Sequence, residues 1–376
     1  MCLRSFFPQR RKRKNKKIMK RQLSFFLAVS MAMIVLYVVI QFAVPADTAK
    51  GTEELWIPPG TTFRQAAGIL KNKGYIGDAG LFVIAARITG ADRDLKAGYY
   101  VLNGEMSPWF IFQMLKNGKM LKNLVTIVEG DSLLEIRKKL VEKDIMSPAD
   151  FDRLATGKAF LAKLHIDAPS LEGYLFPATY SFPKGEPAEL VFTEMVNRLM
   201  QEYDGKLQAR AQQEGLDLNS VLTMASIVER EAVKDSERPI IAAVFYNRLK
   251  KGMPLQADPT AVYGVKPFCE GVTSQDIKRC TKYNTYKIKG LPPGPIDSPG
   301  LKSIEAALYP ARVDYLYFES NYDGTHTFSD DYEQHKIAIL NSREELKERQ
   351  DALINGEEIN EGNGQKTREV AKGKVQ

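Results

Sequence analysis

Two carboxylates in residues 218–239 (LNSVLTMASIVEREAVKDSERP) stand where a proton could be moved. At about 100° per residue, Val221, Leu222, Met224, Ala225, Ile227, Val228, Ala232 and Val233 form one apolar side of a helix. Glu229 and Glu231 fall on opposite flanks of that side. Glu231 follows Met224, Ile227 and Val228 at one- and two-turn spacing, so it sits on an apolar stripe. A carboxyl there loses hydration, its pKa rises, and it can stay protonated near neutral pH, as a general acid must. The competing reading is structural: one or both glutamates pair with Arg230, Arg238 or Arg248. Spacing does not choose between them. Three loops dense in Pro, Gly, Tyr and Asn accompany this helix: SLEGYLFPATY (170–180), MPLQADPTAVYG (253–264) and YNTYKIKGLPPGPIDSPG (283–300). Such loops are costly to order and usually mark a binding cleft. Aromatic faces stack on the apolar faces of sugars while Asn, Gln and Asp take hydroxyls, though a peptide groove fits the composition equally.

The elements that must hold these residues can be read from period and punctuation. Helices are expected over 187–214, 218–232 and 236–250, followed by a Pro- and Gly-rich stretch to about residue 300. VDYLYFES (313–320) alternates as a strand and turns at Asp323-Gly324 into GTHTFS (324–329) as a hairpin. A helix over 331–349 follows, and 351–376 reads as a disordered polar tail. Upstream, 55–76 resembles 124–146 at an offset of 70, matching Ile57 to Ile127, Gly60 to Gly130, Leu70 to Leu140 and Lys73 to Lys143. Each copy reads as strand, glycine turn and amphipathic helix, capped by Thr61 or Thr62 in one and Asp131 or Ser132 in the other. Between them lie a strand, KAGYYVL (96–102), and a helix over 107–119 opened by Pro108. The strand–helix units resemble LysM-type modules, small carbohydrate-binding folds. The fold class is therefore α+β, with a LysM-like α/β module over 55–160 and a mixed α+β domain over 161–350.

The formal charge of +7 is unevenly placed. Residues 1–21 carry ten basic side chains, and the first acidic residue is Asp47; the remainder holds 43 basic against 46 acidic residues. The basic charge belongs to a short arm, which argues against nucleic acid as a partner. Residues 22–46 contain no formal charge, and about 20 apolar residues span a bilayer as a helix. The expected order is a basic cytoplasmic arm (1–22), a single transmembrane helix (23–46), a polar linker (47–54) and an exported body, by the positive-inside rule. A cleaved signal peptide is the rival, but the apolar run exceeds its usual 7–15 residues. Export puts Cys269 and Cys280 in an oxidising compartment with ten residues between them. A bridge would contribute ~2–3 kcal/mol in the chain-entropy model; two free thiols are the alternative. No His or second Cys pair lies nearby to hold a metal.

MASIVEREA, then AAVFYNRLKKGMPLQADPTAVYG, then YNTYKIKGLPPGPIDSPG resemble the YceG-like family of endolytic murein transglycosylases. SLEGYLFPATYSF and YLYFESNYDGTHTFSDDYEQH extend the resemblance over about 50–350. It implies a lytic transglycosylase that cleaves the bond from N-acetylmuramic acid to N-acetylglucosamine in peptidoglycan glycan strands and needs no cofactor. It implies Glu231 as the catalytic residue. Glu172, Tyr174, Gln256, Asp258, Asn284, Thr285 and Tyr286 would bind substrate or organise the cleft. It also implies an inner-membrane location and peptidoglycan synthases, the penicillin-binding proteins, as partners. Ala178 stands where the family often has Asp, and Lys336 where it often has Asn.

Overall fold

A computed structural model describes residues 8–355, with side chains over 19–351. The chain forms two compact units. The first comprises the chain up to Asn123 together with Ser181–Glu186; the second comprises Leu124–Tyr180 and the chain from Pro187 onward.

In the first unit a helix, Pro8–Ala43, carries an apolar stretch, Met19–Ala43, long enough to cross a membrane. Strand β1 (Glu53–Ile57) pairs antiparallel with β2 (Gly98–Leu102), from Glu53 opposite Leu102 to Ile57 opposite Gly98. Helices Phe63–Asn72 and Ala79–Thr89 lie between these strands in the chain, and Pro108–Asn117 follows them. Leu55, Ile57, Phe63, Leu70, Phe82, Tyr100 and Phe112 fill one apolar core. The strand and helix expected between the repeat copies are both present.

The second unit is mostly helical. The helix expected over 187–214 is two helices, Ala188–Glu202 and Gly205–Gln213, because Asp204 caps the second through the Lys206 and Leu207 N–H groups. Helix Leu218–Glu231 packs on helix Leu301–Leu308, and Arg238–Lys250 packs on both. The apolar side of Leu218–Glu231 is buried as expected from Val221 to Val228. Val233 is exposed instead, because the helix ends at Glu231 and the chain turns extended at Ala232. Strands β3 (Lys122–Thr126) and β4 (Thr179–Pro183), where the chain passes from one unit to the other, form a second two-stranded sheet. The hairpin of β5 (Tyr317–Ser320) and β6 (His326–Ser329) is present, shorter than the alternation implied, and helix Tyr332–Asn355 follows it. The tail beyond lies outside the described residues.

The α+β class stands, and the second repeat copy falls in the second compact unit, which begins at Leu124. Helix Leu133–Glu142, from the second repeat copy, packs on Pro148–Ala155, which packs on Ala188–Glu202. The second copy therefore buries its face in the second unit.

Candidate active site

The two glutamates that spacing could not separate have different surroundings. Glu229 is committed to structure. Its Oε1 accepts from Arg238 Nη1 at 2.9 Å, its Oε2 accepts from the Gly300 N–H at 2.9 Å, and both side chains of the ion pair are buried. Arg238 also donates to Ser303 Oγ and Asp235. This is the structural pairing that the sequence allowed, realised for one glutamate.

Glu231 is the last residue of its helix and is partly exposed, yet its carboxyl is densely surrounded by protein. Burial pushes its pKa up to about 8, with the Asp258 carboxylate adding to the rise. The Asp258 backbone N–H, Arg230 and Arg248 oppose it. A carboxylic acid with that value is mostly protonated at neutral pH, the form needed to donate a proton.

Asp258 is fixed by two locked turns. Thr285 Oγ1 accepts from the Ala257 N–H at 2.9 Å and lies 2.8 Å from Thr260 Oγ1, which accepts from the Thr285 N–H. The Gln256 N–H reaches the Thr285 carbonyl, and Gln256 holds a left-handed φ of 54°. With the turns so joined, Tyr286 donates its hydroxyl to Asp258 Oδ1 at 2.6 Å. Asp258 and Gln256 are exposed and Tyr286 is half-buried, so these three can face a ligand.

The remaining expected residues are interior supports. Asn284 is fully buried; its amide donates to the carbonyls of Asp276, Ile277 and Arg279 and tethers the loop before it. Thr285 is likewise buried. Glu172 is 2% exposed, accepts from the Leu133 N–H at 2.9 Å and the Tyr263 hydroxyl at 2.9 Å, and is pushed up to about 8 by burial. Tyr174 is buried and donates to Asn219 Oδ1 at 3.3 Å. All four are held in the interior by these hydrogen bonds.

Of the two readings open for Cys269 and Cys280, the structure has the second: both are free thiols and exposed. Their loop is held by Asp276, which pairs with Lys266 at 2.7 Å and Arg279 at 2.9 Å and caps its helix with Thr273. Ala178 lends its carbonyl to the Ile127 N–H, and Lys336 pairs with Glu333. His326 Nδ1 lies 2.7 Å from Glu237 Oε2.

The sequence offered Arg248 only as an ion-pair partner for the glutamates; its actual contacts, and those of His335 and Asp297, were not foreseen. Buried Arg248 donates to the carbonyls of Leu316 and Leu255, lies over the Tyr317 ring, and approaches Gln256 Oε1 at 3.3 Å. The other face of the Tyr317 story is His335, whose ring stacks on Tyr317 with centroids 5.0 Å apart. Asp297 is fully buried with neither oxygen hydrogen-bonded among the described residues, and Arg230 Nε stands 4.0 Å away. Burial, then Glu229, raises its pKa well above the carboxylate range. No periodicity marks such residues, since their contacts are made across separate chain segments.

Fold and site define a class: an α+β domain with one glutamate of raised pKa at a helix end, beside Tyr- and Asp-bearing turns. Within that class the chain belongs to the YceG-like family, whose profile matches residues 55–341. It is 33% identical over 305 residues to an endolytic murein transglycosylase of Bacillus subtilis, covering 77% of this chain and 84% of the relative. It is 30% identical over 337 residues to an endolytic murein transglycosylase of Streptococcus pneumoniae, covering 79% of this chain and 60% of that one. A crystal structure of a yceG-like protein from Listeria monocytogenes aligns with a TM-score of 0.52 at 35% identity, covering 76% of this chain and 99% of that one.

Proposed function

We propose that this chain is an endolytic murein lytic transglycosylase with Glu231 as its acid and base. What supports the reading is a helix-end Glu231 whose surroundings raise its pKa, two residues from a Glu229 already spent on Arg238. Glycosidases usually need two carboxylates, one to protonate the leaving group and one to act as base or nucleophile. Here one suffices. Glu231 protonates the glycosidic oxygen between N-acetylmuramic acid and N-acetylglucosamine as the bond to C1 breaks. The carboxylate so formed then takes the proton of the muramic acid C6 hydroxyl as that oxygen bonds to C1. The product is a 1,6-anhydro end, and the intramolecular nucleophile replaces a positioned water at low entropic cost. Gln256, Asp258 and Tyr286 are the substrate-facing residues of this reading.

The helix Met19–Ala43 is the membrane anchor, with the basic arm on the cytoplasmic side and both units outside. A carbohydrate-binding role for the β1–β2 unit, expected from the LysM likeness, draws support from its strand–helix–helix–strand order. Peptidoglycan synthases of the same membrane are the partners that the resemblance implies.

Purified glycan strands digested by the full chain in detergent test the reaction. Wild type is expected to release ends lighter by one water than reducing ends. Glu231→Gln keeps the shape and is expected to lose about 100-fold or more in rate. Reducing ends would make the chain a hydrolase, and binding without new ends a scaffold.

A further inference from the structure

Outside its apolar helix, the first unit carries two large aromatic residues that are about half exposed. Helix Pro108–Asn117 buries Ile111, Phe112, Met114 and Leu115, while Trp109 and Phe110 in its first turn are 49% and 48% exposed. Both are tied to the end of the apolar helix. The Trp109 ring stacks on Phe112 at 5.6 Å and meets Phe42 edge-on at 6.3 Å. Phe42 also stacks on Phe82 at 6.1 Å, so the last turn of the apolar helix is built into the core of this unit. Phe110 lines a cavity of about 440 Å³ with Ala43 and Pro45, where that helix ends.

Depth follows from helix geometry. At 1.5 Å per residue about 20 residues fill the ~30 Å hydrocarbon layer, and the apolar stretch has 25. Phe42 is its next-to-last residue, so it lies at the boundary between hydrocarbon and headgroups. A side chain in contact with Phe42 lies at the same level. Trp and Phe in such a position gain by burying their rings, and the indole N–H still finds a polar partner there.

From this continuity we infer that Trp109 and Phe110 are seated in the headgroup layer of the bilayer and fix the β1–β2 unit on the membrane surface. The inference rests on the reading of Met19–Ala43 as membrane-spanning. It makes the unit a docked body at a set height above the bilayer and not a domain free to swing on its linker.

The sequence holds two tryptophans, so Trp56→Phe leaves Trp109 as the sole reporter in the full chain. The protein is reconstituted into vesicles of phosphatidylethanolamine and phosphatidylglycerol carrying a spin label either near the headgroup or deep in the acyl chain. Trp109 is expected to emit at shortened wavelength and to lose roughly half its intensity to the shallow label, and less to the deep one. A second protein, with both tryptophans changed to Phe and Leu36→Trp added, reports on the span and is expected to be quenched most by the deep label. Quenching at Leu36→Trp without quenching at Trp109 overturns the inference while leaving the anchor intact. Shortened-wavelength emission from Trp109 without lipid quenching also overturns it, since a protein surface then covers the ring. No quenching at either position overturns the anchor itself and the inference with it.

Discussion

The two copies of the strand–turn–helix repeat share a local design and differ in what surrounds them. In the first, Gly60 turns at φ 78°, Thr62 and Gln65 form a reciprocal cap, and helix Phe63–Asn72 ends before Gly74 at φ 73°. In the second, Gly130 turns at φ 82°, Ser132 and Glu135 form the same cap, and helix Leu133–Glu142 ends before Asp144 at φ 51°. After each helix an N–H returns to a carbonyl five residues back, Tyr75 to Leu70 and Ile145 to Leu140. Yet a side chain at Gly60 would meet open space, whereas one at Gly130 would meet Arg230 Nη1 at 3.3 Å and Asp297 Oδ2 at 3.9 Å. The first unit buries no carboxylate among the described residues; the second buries Asp131, Glu172, Asp276 and Asp297. Buried charge costs stability and is retained where geometry or chemistry needs it. One local motif thus serves as plain core in one unit and as a wall of the acid-bearing site in the other.

The sharpest test of that contrast is on rate. Glu231→Gln is expected to lose about 100-fold or more, and Asp258→Asn to move the alkaline limb of the rate profile to lower pH. The direction follows from charge: Asp258 helps to raise the Glu231 pKa, so removing its charge lets the acid ionise sooner. A pH–rate profile of kcat/KM checks both, and an unmoved limb in Asp258→Asn would remove Asp258 from the acid's surroundings.

Next in size is stability. Glu172→Ala leaves the Leu133 N–H and Tyr263 hydroxyl unpaired in the interior, at a cost of roughly 3 kcal/mol in denaturant unfolding. Glu53→Ala in the first unit removes an exposed pair with Lys73 and is expected to change little. The two residues also depend on pH with opposite sign. Glu172 has a folded pKa of about 8 against an ordinary 4.5, so its contribution is complete below 4.5 and is lost as pH rises towards 8. Glu53 is held below 4.5 by Lys73, so its contribution is present above 4.5 and lost in acid. Glu172→Gln should therefore gain on wild type between about pH 5 and 9, by a few °C in Tm. A Tm difference that stays constant over this range would contradict the raised pKa.

Much of this was legible in the sequence where the information is local. The repeat, its glycine turns, the Leu218–Glu231 helix and the β5–β6 hairpin each follow from period and turn chemistry within a few residues. Which unit claims the second copy was not legible, because both copies are capped and patterned alike and the choice is made by packing partners such as Pro148–Ala155. The apolar stripe placed Glu231 where burial raises its pKa. It could not show that Glu229 meets Arg238 and Gly300, since those contacts come from a separate helix and a loop 71 residues away. The resemblance implied that Asn284 and Thr285 bind substrate or organise the cleft, without choosing between the two. In the structure Asn284 donates to neighbouring carbonyls and Thr285 meets the Ala257 N–H and the Thr260 hydroxyl, contacts of the second kind.

The smallest predicted effect bears on what the copies share. Thr62→Ala and Ser132→Ala each remove a hydroxyl that accepts an N–H three residues on, from Gln65 and Glu135. Each is expected to cost about 1 kcal/mol. If the copies are equivalent locally, the two costs agree within the error of denaturant unfolding. Activity should nevertheless part them, because the Ser132 cap fixes the turn that presents the Gly130 carbonyl to Arg230 Nη1 at 3.3 Å. Arg230 in turn bears on the Glu231 acid. Ser132→Ala is therefore expected to lower kcat by a few-fold at about the same stability loss that leaves Thr62→Ala fully active. Equal kcat for the two variants would mean that the second copy supports the site only as scaffold, as the first supports its own core.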